Sequence, residues 1–372
     1  MQEIMLKVQE HPFGLLICFV LLAIGIMLLV WGGERLVRGG LGIAKRFNIK
    51  TVIIGLTIIA FSTSSPELAF NVFAASSGHG EITIGNIFGS NIANLALVLG
   101  VGAIVHNHVR RKDRSAKNTK GTPIPSRIRR LIGWWLVFST FGISIITAVI
   151  LNWNDQLSWF QLNWQLGVIM LLIFVLFFWW TNIKAPPKNT ESDEEGVEVA
   201  CSFPGAIFLV ITGLLLLGIG GKAAELSSVT GARMLGISEM FIGVTIVAIA
   251  TSLPELVTTI IAARKNEAQL AWGNIFGSNL FNILFVLPIT MIVVGVPWLR
   301  GADTKNYIPL PSNLGAEPWI YIVVMLLVTL ITFGMIKKGK DITDFEGYSL
   351  IGIYAFFLIG ITLWKIITVA PV

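Results

Sequence analysis

The chain has 372 residues, of which 54% are hydrophobic and only 13% are charged. A soluble domain usually carries about 25% charged residues, so this composition excludes a water-solvated enzyme or binding module. The formal net charge of +6 could suggest nucleic acid, but basic loops beside anionic lipid account for it more simply.

Apolar runs such as 13–31, 166–180 and 320–335 cross, or nearly cross, a hydrocarbon core about 30 Å thick. They are apolar at both parities, which rules out the alternation of a transmembrane barrel and leaves helices. In chain order the pattern predicts ten helices, at about 13–44, 50–76, 82–106, 131–151, 165–183, 203–233, 238–264, 269–296, 318–336 and 347–367. The first and sixth exceed a perpendicular span, so strong tilt is expected. Residues 1–12 lack the basic leader and small-residue cleavage site of a signal peptide and read as the approach to the first helix. The two cysteines, Cys18 and Cys201, build no disulfide framework or metal site.

Ten spans place Lys45, Arg46, Lys50, Lys184, Lys188, Arg264, Lys265, Lys337, Lys338 and Lys340 on one face. The linker after the third helix adds Arg110, Arg111, Lys112, Arg114, Lys117, Lys120, Arg127, Arg129 and Arg130. The other face offers Lys7, Arg233, Arg300, Lys305 and Lys365. Nineteen against five makes the rich face cytoplasmic and puts both termini on the far side. A plasma (inner) membrane location is the expectation. The acidic run 191–198 reads as a solvated connector, with regulatory calcium binding as an alternative.

Residues 55–68 read GLTIIAFSTSSPEL and 243–256 read GVTIVAIATSLPEL; 85–94 read GNIFGSNIAN and 273–282 read GNIFGSNLFN. The offset is 188 residues for both blocks, which signals duplication. The expected organisation is a first five-helix repeat at 1–183, a cytoplasmic connector at 184–202 and a second repeat at 203–372. An odd number of spans inverts the second copy relative to the first. Inverted repeats in transporters place their site at the midplane between the copies. The fold class is therefore all-α integral membrane, with an ion site at the repeat interface.

Glu67 and Glu255 fall deep inside apolar helices. A carboxylate at such depth costs roughly 2.5–3.5 kcal/mol even on lenient scales, so it needs a counter-charge. Arg35, Arg38 and Lys222 are the basic candidates on other helices; a bound cation is the simpler partner. Pro66 and Pro254 precede the two acids and deny a bond to the carbonyls of Ser62 and Ala250. Thr63, Ser64, Thr251 and Ser252 add hydroxyls there. Asn86, Ser90 and Asn94 repeat every four residues along one helix face, as do Asn274, Ser278 and Asn282. Gly85 with Gly89, and Gly273 with Gly277, allow close helix approach. For Asn86 and Asn274, plain interhelical bonding is an equal alternative to ligation. A hard-oxygen set of this kind suits calcium, and also sodium. An empty pair of glutamates repels itself, so proton competition is expected.

At these residues the chain resembles the calcium/cation antiporter superfamily, in particular the sodium/calcium exchanger branch with its bacterial and archaeal members. The resemblance covers both repeats and the span pattern. It implies ion sites built from Thr63, Ser64, Glu67, Ser90 and Asn94 with Thr251, Ser252, Glu255, Ser278 and Asn282. It also implies that the carbonyls of Ala60 and Ala248 help hold sodium. It further implies no cofactor, no catalysis and alternating access, helices 1 and 6 sliding across a core that carries Ca2+ one way and Na+ the other. Ser62, Ala250 and Ser65 depart from the family pattern, and Asn282 stands where several sodium-coupled members have aspartate. With two carboxylates the coupling ion, Na+ or H+, and the stoichiometry stay open. A passive channel and a serine hydrolase built on Ser64 or Ser252 are the other classes; the hydrolase lacks a histidine at the right depth.

Overall fold

The computed structural model describes residues 8–46, 60–112, 121–124, 132–153, 162–183, 202–264, 268–295, 317–339 and 341–369. The acidic run 191–198, most of the basic linker after residue 112 and the start of the second expected helix lie outside them.

Helix occupies part of every expected stretch. α1 is Gly14–Arg46. α2 comprises Ala60–Thr63 and Ser65–Ser76, interrupted at Ser64. α3 comprises Gly80–Ala93, a π-helical turn Asn94–Val98, and Leu99–Lys112. α4 is Gly133–Trp153, α5 Trp164–Ile183 and α6 Phe203–Leu235. α7 comprises Glu239–Ile242, a π turn Gly243–Val247, Ala248–Thr251 and Leu253–Arg264. α8 comprises Ala268–Phe281, a π turn Asn282–Val286, and Leu287–Gly295. α9 is Glu317–Lys338 and α10 Asp344–Val369.

By length and composition, seven of these are able to cross a membrane within the described residues: Gly14–Arg35, Gly80–Arg111, Phe203–Leu235, Glu239–Arg264, Ala271–Gly295, Glu317–Lys338 and Asp344–Ile367. Gly133–Ala148 and Trp164–Trp180 are shorter apolar helices. The expected second helix is represented only by its broken second part. α1 and α6, at 33 residues each, are about 50 Å long at 1.5 Å per residue. That length exceeds a bilayer core.

Local chemistry sets the helix ends. Ser202 and Ser238 cap α6 and α7 by accepting from the amides of Gly205 and Phe241, which satisfies donors the first turn leaves open. Gly236 ends α6 at φ 64°, a left-handed position suited to glycine. Thr343 and Glu346 accept one another's amides in a capping box before α10. Two short strands, β1 (Thr122–Pro123) and β2 (Asp341–Ile342), pair antiparallel and tie the loop after α3 to the loop before α10.

The packing has two zones. α3 and α8 form the interior: 83% and 72% of their spans are buried. α1 and α6 pack mainly on each other and expose most of their surface, as lipid-facing helices do. Their seam is lined by glycine. A Cβ at Gly25 or Gly32 would meet the backbone of Gly220 or Ala224, and of Gly213 or Leu217, respectively. The α3–α7 seam is equally close, since a Cβ at Gly85 or Gly89 would meet the carbonyl of Met240 or Val244. Small residues of this kind drive helix association in lipid, where apolar burial gives no gain.

Candidate functional site

Both helix breaks fall at serine. Ser64 has φ −86°, ψ 6° and Ser252 has φ −84°, ψ 3°, near the bridge region rather than the helical one. The backbone turns at the hydroxyl positions that the sequence reading set at these breaks, two residues beyond the Ser62 and Ala250 carbonyls that the prolines deprive. Pro66 and Pro254 lie in the first turn of the following segments, where a missing N–H costs nothing. Helix restarts with the amides of Leu68 and Leu256 bonded to the carbonyls of Ser64 and Ser252. Ser65 is spent on the Phe61 carbonyl at 2.6 Å, so it does not face the centre.

These breaks bring the two repeats together reciprocally. Thr63 bonds the side chains of Asn274 and Ser278 at 3.3 and 3.2 Å. Thr251 bonds Asn86 and Ser90 at 3.2 and 3.4 Å. Shifting the first set by 188 residues gives the second, so each copy grips the other through equivalent groups. Behind each asparagine stands a support that the sequence reading missed. Asn86 donates to Asn71, and Asn274 to Thr259, both at 3.2 Å. The signal was present: Asn71 and Thr259 each follow a site glutamate by four residues, which places them on its face.

Glu67 and Glu255 are both completely buried and near enough to repel one another. The hydroxyls of Thr63, Ser278 and Ser64 surround the Glu255 carboxylate, Ser64 donating to Oε1 at 3.5 Å. Thr251 lies beside Glu67, yet neither Glu67 oxygen makes a hydrogen bond. Further unpartnered atoms gather on the same helices: Glu255 Oε2, Ser252 Oγ, and both amide atoms of Asn94 and of Asn282. The two asparagines are fully buried and open the π turns of α3 and α8; π turns recur at functional sites. Ser90 and Ser278 are likewise fully buried. The Ala248 carbonyl accepts from the Ser252 amide, and Ala60 begins the described part of α2.

Native proteins satisfy the great majority of buried polar side-chain atoms, so a convergence of orphans marks a missing partner. Here the orphans are mainly oxygen, two of them carboxylates. Among the described residues no three His, Cys, Asp or Glu side chains are grouped so as to hold a metal ion, so any cation must draw further ligands from hydroxyls, amides and carbonyls. Two of the basic candidates are engaged elsewhere. Lys222 is engaged by Glu225 at 2.7 Å and by Ser77 at 2.9 Å, and Arg38 faces Glu34 on the surface.

A duplicated helical membrane protein with paired buried acids and an oxygen-rich centre is the class that fold and site define. The family described as sodium/calcium exchanger protein matches residues 17–182 and 205–363, and the chain belongs to that family. A protein of Alkalimonas amylolytica named as an antiporter, CaxA, is 32% identical over 81% of this chain and 88% of its own length. The sodium/calcium exchanger MaX1 of Methanosarcina acetivorans is 28% identical over 92% of this chain and 97% of itself. The Ca2+/H+ antiporter ChaA of Bacillus subtilis is 25% identical, covering 82% of each. In fold, the chain is similar to the sodium-calcium exchanger NCX_Mj in crystals soaked with Na+ and Sr2+. The TM-score is 0.56 at 23% identity, covering 94% of this chain and 98% of that one. The protein is thus a multi-pass membrane antiporter of a family of transporters, not of enzymes.

Proposed function

We propose that the chain exchanges Ca2+ for Na+ by alternating access, through a site formed where two inverted five-helix repeats meet. The observation that carries this reading is the cluster of unpartnered oxygens around Glu67 and Glu255, held by reciprocal bonds between the copies. Ten spans divided as 1–183 and 203–372, with 184–202 between them, give the inversion, and the reciprocal bonding is what a two-fold axis between the repeats would produce. The ligand groups are the carboxylates of Glu67 and Glu255, the hydroxyls of Thr63, Ser64, Ser90, Thr251, Ser252 and Ser278, and the amides of Asn94 and Asn282. The carbonyls of Ala60 and Ala248 are the sodium ligands.

Charge drives the cycle. Two buried carboxylates without a counter-ion are unfavourable in lipid, so the loaded centre crosses the barrier more readily than the empty one. This requirement couples the two fluxes. Ca2+ neutralises both charges at once, whereas monovalent ions do so only in combination. The basic loops face the cytoplasm and both termini lie on the other side.

Proton coupling is the second reading, favoured by the ChaA relationship and by a centre with two buried acids. Purified protein in liposomes separates the two. An outward Na+ gradient should drive 45Ca2+ uptake and an outward H+ gradient alone should not; the opposite result replaces Na+ by H+. Calcium flux that persists with no counter-ion at all would make the protein a channel.

A further inference from the structure

A second polar network lies away from the ion centre, where the ends of α2, α3 and α7 meet the side of α6. His79, in the turn between α2 and α3, points its Nδ1 at the Glu239 carboxylate of α7, 3.0 and 2.9 Å from the two oxygens. Its Nε2 points the other way, 3.7 Å from Oε1 of Glu225 on α6. Glu225 is buried, and its second oxygen holds Lys222, which also donates to Ser77 at the end of α2. One imidazole and one ammonium therefore attach α6 to the helices that carry the site.

We propose that His79 is a proton-operated latch that fixes α6 to the ion-binding core, an inference that rests on the alternating-access reading given above. Both ring nitrogens face carboxylates. The imidazolium donates through both nitrogens; the neutral ring donates through only one. Histidine as a residue type changes charge within about pH 5–8, and a proton on the His79 ring completes the bridge from Glu239 to Glu225. The latch is fully made at the acid end and loses one link as pH rises.

The surrounding charges keep the bridge local. Glu81, in the first turn of α3, lies in the field of Glu239, of Glu317 on α9 and of Lys365 on α10. Glu317 is itself held by Lys365, Tyr321 and Ser238. On α6, Lys222 and Glu225 pair with each other as well as with their partners. Among the described residues, His79 is the side chain that meets a carboxylate of α7 on one side and a carboxylate of α6 on the other. The contact sits beside a close approach of α6 to α2, where a Cβ on Gly221 would meet Ala69 and Phe73. Loosening it frees the end of α6 nearest the core.

The test is hydrogen–deuterium exchange of residues 217–229 of the full chain in lipid nanodiscs at pH 6 and pH 8. Exchange is corrected for intrinsic chemistry, and His79→Gln and Glu225→Gln are run beside wild type. Wild type should be about fivefold more protected at pH 6, the scale of one partly screened ion pair, and both variants should lose that pH response. A wild type with no pH response, or variants that keep it, would overturn the latch. In liposomes at saturating cation, where proton competition at Glu67 and Glu255 drops out, calcium exchange should slow by a similar factor towards pH 6 in wild type only. If no exchange occurs but α6 protection still follows His79, the latch stands and the transport reading fails.

Discussion

Glu67 and Glu255 occupy equivalent places in the two repeats, yet their surroundings differ. Around Glu255 stand three hydroxyls, and Ser64 donates to its carboxylate across the interface. The Asn274 amide additionally holds the Glu255 backbone carbonyl at 3.2 Å. The Glu67 carboxylate has Thr251 beside it and no hydrogen bond, and the hydroxyl of Ser252, the counterpart of Ser64, has no partner. The first repeat thus carries the acid more in need of an ion; the second carries the acid that the protein has already oriented. Duplication supplies a matched pair of buried acids, and small departures from symmetry give them different surroundings.

The largest expected effect is shared by both sides. Glu67→Gln and Glu255→Gln should each reduce calcium exchange at least about 100-fold, since removing one of two charges leaves a divalent ion uncompensated. Cation at about 100 times its Kd should stabilise wild type by roughly 2.7 kcal/mol, read as a thermal shift. Neither variant should respond. Full exchange in either one would remove that residue from the site.

The serines should separate the two sides. Ser64→Ala removes a donor from a buried carboxylate and should alter apparent calcium affinity about tenfold, the lower end for a hydrogen bond to a charged group. Ser252→Ala should shift it no more than about threefold, within the range for a neutral hydroxyl. Equal effects in equilibrium 45Ca2+ binding would mean that the asymmetry has no energetic weight. Acid should weaken calcium binding in wild type, because a proton on either carboxylate removes half of the counter-charge. Apparent affinity measured from pH 8 to pH 5 should fall throughout, and a flat profile would exclude proton competition.

The smallest effects should come from the supports. Asn71→Ala and Thr259→Ala each withdraw one partner from a site asparagine, worth about 1 kcal/mol of stability. A thermal melt of the ion-free protein checks this, and a loss of the calcium-induced thermal shift in Asn71→Ala alone would place that residue in the ion shell.

Helix within part of every expected stretch and the burial of Glu67 and Glu255 were legible because burial in lipid imposes long apolar runs, against which these two acids stand out. The doubled motif located the hydroxyls and amides for the same reason. What Thr63 and Thr251 bond was not legible, since Asn274 and Asn86 lie in the opposite repeat and only tertiary packing joins them. Nor were the π turns, because NLALV and NILFV differ little in composition from the α-helix around them. The breaks at Ser64 and Ser252 were legible from Pro66 and Pro254, because a proline fits comfortably in the first turn of a restarted helix. Lys222 was a candidate counter-ion on charge alone; its buried partner Glu225, one turn further along α6, was the clue that it was already engaged. The His79 network escaped notice because its members are scattered from residue 77 to residue 365.

The π turn that begins at Asn94 has a consequence for everything beyond it. One residue more per turn than an α-helix shifts the downstream phase by about 100° and 1.5 Å. If Asn94–Val98 closed as regular α-helix with every residue kept, Leu99–Lys112 would swing around its axis by that amount. Asn107 would then lose its hold on Ile342 and Asp344, and the clasp between β1 and β2 would lose its anchor. A one-residue irregularity at mid-membrane thereby sets which side chains the chain presents at its far rim.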